Sequence, residues 1–196
     1  MNHTNRQREK GKSRSCLPAV ILIILLVIAV WIAAGELKER HQKFMYPQKY
    51  SEYVEYYCEK YDVPTDIVYS VIHTESGFDE KVISHAGAIG LMQITPDTYD
   101  WLLYVRKEEK LSELTDPETC IDFGTYFLSY LYRKFGNWDT AFAAYNAGMN
   151  RVSEWLADER YAKDGELVYV PYTETRNYVK KVNNTIVKYK QIYESE

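Results

Sequence analysis

The chain has 196 residues, 46% hydrophobic and 27% charged, which fits one domain with accessory segments and excludes wholesale disorder. Five basic residues and one acid lie in residues 1–15, a local net charge of +4; the rest of the chain carries a net −8. An acidic body excludes nucleic acid as the natural partner, because phosphate binding needs a basic face. The three cysteines, Cys16, Cys58 and Cys120, and the four histidines form no CxxC or HExxH spacing. No zinc site or disulfide framework is expected, and Cys58 and Cys120 read either as a pair or as buried free thiols.

Residues 1–16 form a basic tail. Leu17 to Ala34 is an uncharged apolar run about as long as the thinnest bilayer-spanning helix. With basic residues before it, residues 17–35 are expected to be a single transmembrane anchor with a cytoplasmic N-terminus, and the body on the far side of the membrane. Ala33-Ala34-Gly35 also reads as a cleavage site, so a removable signal peptide stays open. Cys16 precedes the apolar run, which excludes a lipoprotein signal. Residues 36–48 read as a charged stalk, and residues 49–196 as the folded domain.

That domain reads as mainly helical. Tyr50, Tyr53, Val54, Tyr57 and Tyr61 recur at helical spacing. A second helix begins near Thr65 and carries Ile67, Val68, Val71 and Ile72. Gly77, Gly87 and Gly90 then punctuate a loop. Thr95-Pro96 and Asp116-Pro117 are N-cap and first-turn proline signals for two further helices, the second ending at Gly136. Asn137 caps a helix that stops at Gly148, and a last helix begins near Glu174. Strand character is confined to residues 166–172.

Glu75 closes the second helix at i+3 from Ile72, i+4 from Val71 and i+7 from Val68, so its carboxyl lies on an apolar face. Burial there would raise its pKa and keep it protonated near neutral pH, as a general acid for glycosidic cleavage requires. A frayed helix end turning the side chain outward is the competing reading. Asp79, Glu80, Asp97 and Asp100 lie near in sequence but read as solvated surface. His73-Thr74-Glu75 matches a fragment of the zinc-deaminase signature, but the P-C-x-x-C partner is missing.

Around Glu75 stand Ser76-Gly77-Phe78, Gly90-Leu91-Met92-Gln93-Ile94, Ala144-Tyr145-Asn146-Ala147-Gly148 and Glu174-Thr175-Arg176-Asn177-Tyr178. In this order they resemble the soluble-type lytic transglycosylases of glycoside hydrolase family 23, which are similar to goose-type lysozyme. The likeness covers residues 50–189. It implies a mainly α, lysozyme-like α+β fold: one helical catalytic domain with a minor β element, preceded here by the transmembrane helix. It further implies Glu75 as catalytic acid and base. Ser84, Met92, Gln93, Tyr145, Asn146 and Tyr172 would contact glycan, and Glu174 would be a buried residue shaping the site. The implied reaction cleaves the bond between N-acetylmuramic acid and N-acetylglucosamine and closes a 1,6-anhydro ring, with no metal and no cofactor. A hydrolytic muramidase on the same fold and a non-catalytic wall-binding scaffold are the alternatives. The expected partners are peptidoglycan strands, the membrane and a cell-envelope protein complex.

Overall fold

The computed structural model describes residues 17–109 and 112–194, with the side chains of residues 17–20 and 23 left out; the expected basic tail, residues 1–16, lies outside the described residues. The chain divides into two compact units, one up to Phe44 and one from Met45 onward.

The described residues of the first unit belong to helix α1, Leu17–Met45, 29 residues long, whose last residue falls in the second unit. It continues from the apolar run through the charged segment expected as a stalk, and Lys43 pairs with Glu39 at 2.9 Å one turn apart. Its apolar side chains are exposed; Leu22, Val30 and Trp31 stand 60–78% open. Among the described residues no helix is long and apolar enough to cross a membrane. Residues 17–20 and 23, which belong to the expected anchor, have no described side chains.

The second unit is helical with one small hairpin. Its helices are α2 (Ser51–Tyr61), α3 (Thr65–Glu75), α4 (Pro96–Arg106), α5 (Pro117–Phe135), α6 (Trp138–Ala147), α7 (Met149–Leu156) and α8 (Thr173–Tyr193). The capping signals act as their chemistry dictates. Thr95, Asp116 and Asn137 each accept a backbone N–H three residues on, satisfying a donor that the first turn leaves free. Thr65 does not cap α3: it is the first helical residue, and extended Pro64 takes the cap position without a side-chain bond. Gly136 ends α5 in the left-handed region, where glycine has no side-chain penalty.

Helix α5 is the central element, packed against α2 and α6. Its Cys120, Ile121, Leu128 and Leu131 are sealed from water beside Val54, Val68, Ile72 and Leu91. Cys58 and Cys120 are both buried free thiols. Helix α8 runs antiparallel to α3, since Tyr178 meets Glu75 while Lys190 pairs with Asp66 at 3.5 Å.

Two features differ from the sequence reading. Helix α7 follows α6 directly after Gly148; the small residues there mask a short amphipathic turn that buries Val152 and Trp155. The strand expected over residues 166–172 is only β2 (Glu166–Leu167), paired with β1 (Ala162–Lys163). Asp164 and Gly165, at φ 53° and 81°, make the tight turn that twisted hairpins favour. Residues 168–171 are a strap instead. The N–H groups of Val168 and Tyr169 bond the carbonyl of Tyr161, and Arg176 of α8 donates to the carbonyls of Val170 and Pro171.

Candidate active site

Glu75 sits where α3 must stop. Gly77 and Phe78 follow at φ 60° and 69°, so the chain turns sharply away. Ser76 locks the turn: its hydroxyl donates to the carbonyl of Leu91 at 2.9 Å and accepts the N–H of Phe78 at 3.1 Å. The end of α3 is thereby fastened to the loop over residues 77–95.

Gly90 secures that loop from the other side. At φ 75°, an added Cβ would lie 2.2 Å from the carbonyl oxygen of Leu114, a contact that only glycine avoids. Short bridges join Ile83 to Ile89 and Ile89 to Ile94. Ser84 knots the tip: its backbone N–H reaches the carbonyl of Ala88, and its hydroxyl accepts the N–H of Ala88 at 3.0 Å. Gln93, at φ 50°, donates its side-chain amide to the carbonyls of Val82 and Gly90. Both side chains thus hold the loop in shape. Ser84 still has a hydroxyl proton to donate, and Gln93 a carbonyl oxygen to accept with.

The carboxyl of Glu75 is largely withdrawn from water. Burial pushes its pKa from an ordinary 4.5 to about 7, against the opposing pulls of the Tyr178 hydroxyl and the Lys181 charge. The Tyr178 hydroxyl donates to Glu75 Oε1 at 2.7 Å. Lys181 fixes the preceding turn by donating to the carbonyl of Thr74 at 3.0 Å. Among the described residues no other carboxylate is a cause of the shift of Glu75.

Tyr145 also faces this region. Its hydroxyl donates to the backbone carbonyl of Met92 at 2.7 Å, leaving the bond to Glu75 to Tyr178. Burial first, then the charge of Glu75, raises the Tyr145 pKa well above its ordinary range. Its ring lies 5.2 Å from that of Phe127. Phe127 lines a cavity of about 620 Å³ with Thr98, Trp101, Gly148 and Arg151. Glu75 is not on that wall; Tyr145 connects the two.

Other expected residues stand differently. Met92 does not line a cleft with its side chain, which is fully buried against Gly124; an added Cβ at Gly124 would lie 2.2 Å from its sulfur. An unbranched thioether fills such a gap readily, which explains its place in the core. Glu174, expected to be buried, is exposed, because the first turn of α8 projects beyond α3. Asn146 is exposed and accepts the Thr175 hydroxyl at 2.8 Å, tying the end of α6 to the start of α8. Tyr172 is half exposed, with its ring edge-on to Trp155 at 5.0 Å.

Tyr178 and Lys181 were not singled out as site residues from the sequence. A signal existed for the first. Tyr178 lies on the stripe that includes Val182 and Tyr189, and a tyrosine on a buried stripe needs a partner for its hydroxyl. Among the described residues no cluster of three or more His, Cys, Asp or Glu could hold a metal.

Comparison with known proteins bears on the family and the fold. The family profile described as the transglycosylase SLT domain matches residues 52–168. This chain belongs to that family. The profile match ends before α8, the helix that here brings Tyr178 and Lys181 to the glutamate. The soluble lytic murein transglycosylase of Escherichia coli K12 is 36% identical over 156 residues, covering 76% of this chain and 24% of that protein. The membrane-bound lytic murein transglycosylase C of Edwardsiella ictaluri is 29% identical over 173 residues, 74% of this chain and 47% of that one. Among solved structures, the 70-kDa soluble lytic transglycosylase of Escherichia coli aligns with a TM-score of 0.69 and 34% identity, over 81% of this chain and 26% of the other. An inactive glutamate-to-glutamine mutant of lytic transglycosylase Slt from Pseudomonas aeruginosa aligns at 0.68 and 30% identity, over 76% and 25%. The chain thus spans about a quarter of the soluble relatives. The likeness bears out the mainly helical, lysozyme-like fold.

Proposed function

We propose that this chain is a membrane-anchored peptidoglycan lytic transglycosylase in which Glu75 acts first as acid and then as base. The observation that carries the reading is a withdrawn carboxyl with a pKa of about 7, on which no second carboxylate acts among the described residues. Two-carboxylate glycosidases place the partner within about 5–9.5 Å to hold a nucleophile or a water. Here one group changes role, and a pKa near neutrality populates both of its forms.

Tyr178 occupies Oε1, so Oε2 is the oxygen that carries the transferable proton. Oε2–H protonates the oxygen linking N-acetylmuramic acid to N-acetylglucosamine, and the bond from that oxygen to the anomeric carbon breaks. The substrate's acetamido group stabilises the positive charge left on that carbon. Ionised Glu75 then takes the proton from the C6 hydroxyl of the same sugar, whose oxygen closes the 1,6-anhydro ring. The proton returns to Glu75 and no water is consumed. A hydroxyl already on the reacting sugar supplies the effective concentration that replaces a bound nucleophile.

The cavity beside Trp101 and Phe127 offers aromatic surface and polar rims for the sugars flanking the cleaved bond. Ser84, Gln93, Tyr145, Asn146 and Tyr172 are proposed glycan contacts. Exposed Glu174 is proposed to meet substrate at the mouth of the cleft. The apolar exposure of α1 supports an anchor in residues 17–35, with residues 1–16 on the cytoplasmic side and residues 49–196 working outside, within a cell-envelope complex. The test is Glu75→Gln on isolated sacculi. The fold persists and release of soluble fragments ceases; retained release rejects the assignment.

A further inference from the structure

A second feature lies on α8 and shares Lys181 with the surroundings of Glu75. A cavity of about 370 Å³ is lined by Lys180, Lys181, Lys188, His73, Asn177 and Tyr46 among its eight residues, and by no carboxylate. The three ammonium groups stand along about 12 Å of helix, at 1.5 Å per residue. All three lysines are exposed. Their grouping departs from the net −8 of the body that carries them.

The cavity is also fastened to the segment that follows α1. Tyr46 succeeds Met45, the last residue of α1, and stacks on His73 at 4.9 Å. The carbonyl of Met45 lies 3.1 Å from His73 Nε2, and those of Tyr46 and Pro47 accept the hydroxyls of Tyr193 and Tyr189. The buried Nδ1 of His73 has no partner among the described residues.

We propose that this cavity binds the phosphate headgroups of anionic lipids at the surface of the membrane that α1 enters. The proposal rests on the membrane-anchored reading above. Ammonium groups act as point charges and suit phosphate, whereas planar carboxylates are better matched by guanidinium. The guanidinium of Arg176 on this helix is already committed to the carbonyls of Val170 and Pro171. An anionic surface attracts each nearby lysine by about 1 kcal/mol, or about fivefold in occupancy, at moderate salt.

Lysine footprinting of the full chain in lipid discs tests this. In discs of phosphatidylcholine with phosphatidylglycerol, acylation of Lys180 and Lys188 slows about fivefold relative to phosphatidylcholine alone. Lys163 on the hairpin keeps its rate, and the protection disappears at about 1 M salt, where charges are screened beyond about 3 Å. Equal rates in the two discs overturn the proposal. Protection by inorganic phosphate alone, in phosphatidylcholine discs, assigns a soluble ligand and overturns the lipid assignment. Chain that fails to stay with phosphatidylcholine discs at high salt defeats the anchored reading itself, a result separable from the other two.

Discussion

Replacing Glu75 by glutamine should stabilise the folded domain, and should do so only when the glutamate would be ionised. The folded carboxyl has a pKa of about 7 against an ordinary 4.5, raised chiefly by burial. Between those values the unfolded chain has released the proton and the folded chain has kept it. Stability therefore falls as pH rises through this window and levels off above pH 7. A span of about 2.5 units at 1.36 kcal/mol each sets an upper bound of about 3 kcal/mol. Glutamine cannot ionise and still accepts the Tyr178 hydroxyl, so it escapes this loss. For a domain of this size, about 3 kcal/mol corresponds to about 6–12 °C in Tm. Thermal unfolding of both full chains, followed by near-ultraviolet circular dichroism, should show equal Tm at pH 4. At pH 8.5 the glutamine variant should melt higher by several degrees. A gap independent of pH, or one largest in acid, would refute the buried-acid reasoning.

Other perturbations follow from the same contacts. Tyr178→Phe removes a hydrogen bond that favours ionised Glu75, so the alkaline limb of the pH–rate profile should move up from about 7 by about one unit or more, given about 1.5–3 kcal/mol for a bond to a charged group; an unmoved limb contradicts this. Gly124→Ala drives a methyl group into the Met92 sulfur and should lower stability by about 1–3 kcal/mol in denaturant titrations. The Gly124→Ala/Met92→Ala double variant should recover part of that loss. Asp122→Ala strips one of two carboxylate partners from Arg106, whose side chain is only 7% exposed and keeps Glu108 at 2.9 Å, and should cost about 1.5–3 kcal/mol. Cys58 and Cys120, buried and with pKa values pushed up to about 12, should resist thiol reagents until the domain unfolds; fast labelling of the native chain would refute their burial.

Local chemistry made most of the fold legible. The side-chain caps at Thr95, Asp116 and Asn137 and the glycine stop at Gly136 are interactions within a few residues, and a sequence displays them. Glu75 was legible for the same reason, because helical spacing alone sets it on the face of Val68, Val71 and Ile72. Contacts that join distant segments were not. The bond from Tyr178 spans 103 residues, and nothing near Glu75 announces it. Met92 lies in a motif that reads as cleft-lining, yet the space left by Gly124 takes its side chain into the core. Glu174 occupies a motif position too, but exposure depends on how far α8 overhangs α3. The strap over residues 168–171 alternates like a strand and lacks a partner strand, so its backbone bonds go to Tyr161 and Arg176.

The central claim is that one carboxyl performs both proton transfers without water. Mass spectrometry of the muropeptides released from purified sacculi by the full chain reads this directly. The account predicts N-acetylmuramic acid ends lighter by one water than the free reducing sugar, with none formed by Glu75→Gln. Reducing ends, or ends carrying heavy oxygen when the digestion is run in oxygen-18 water, would show that water attacks and would contradict it.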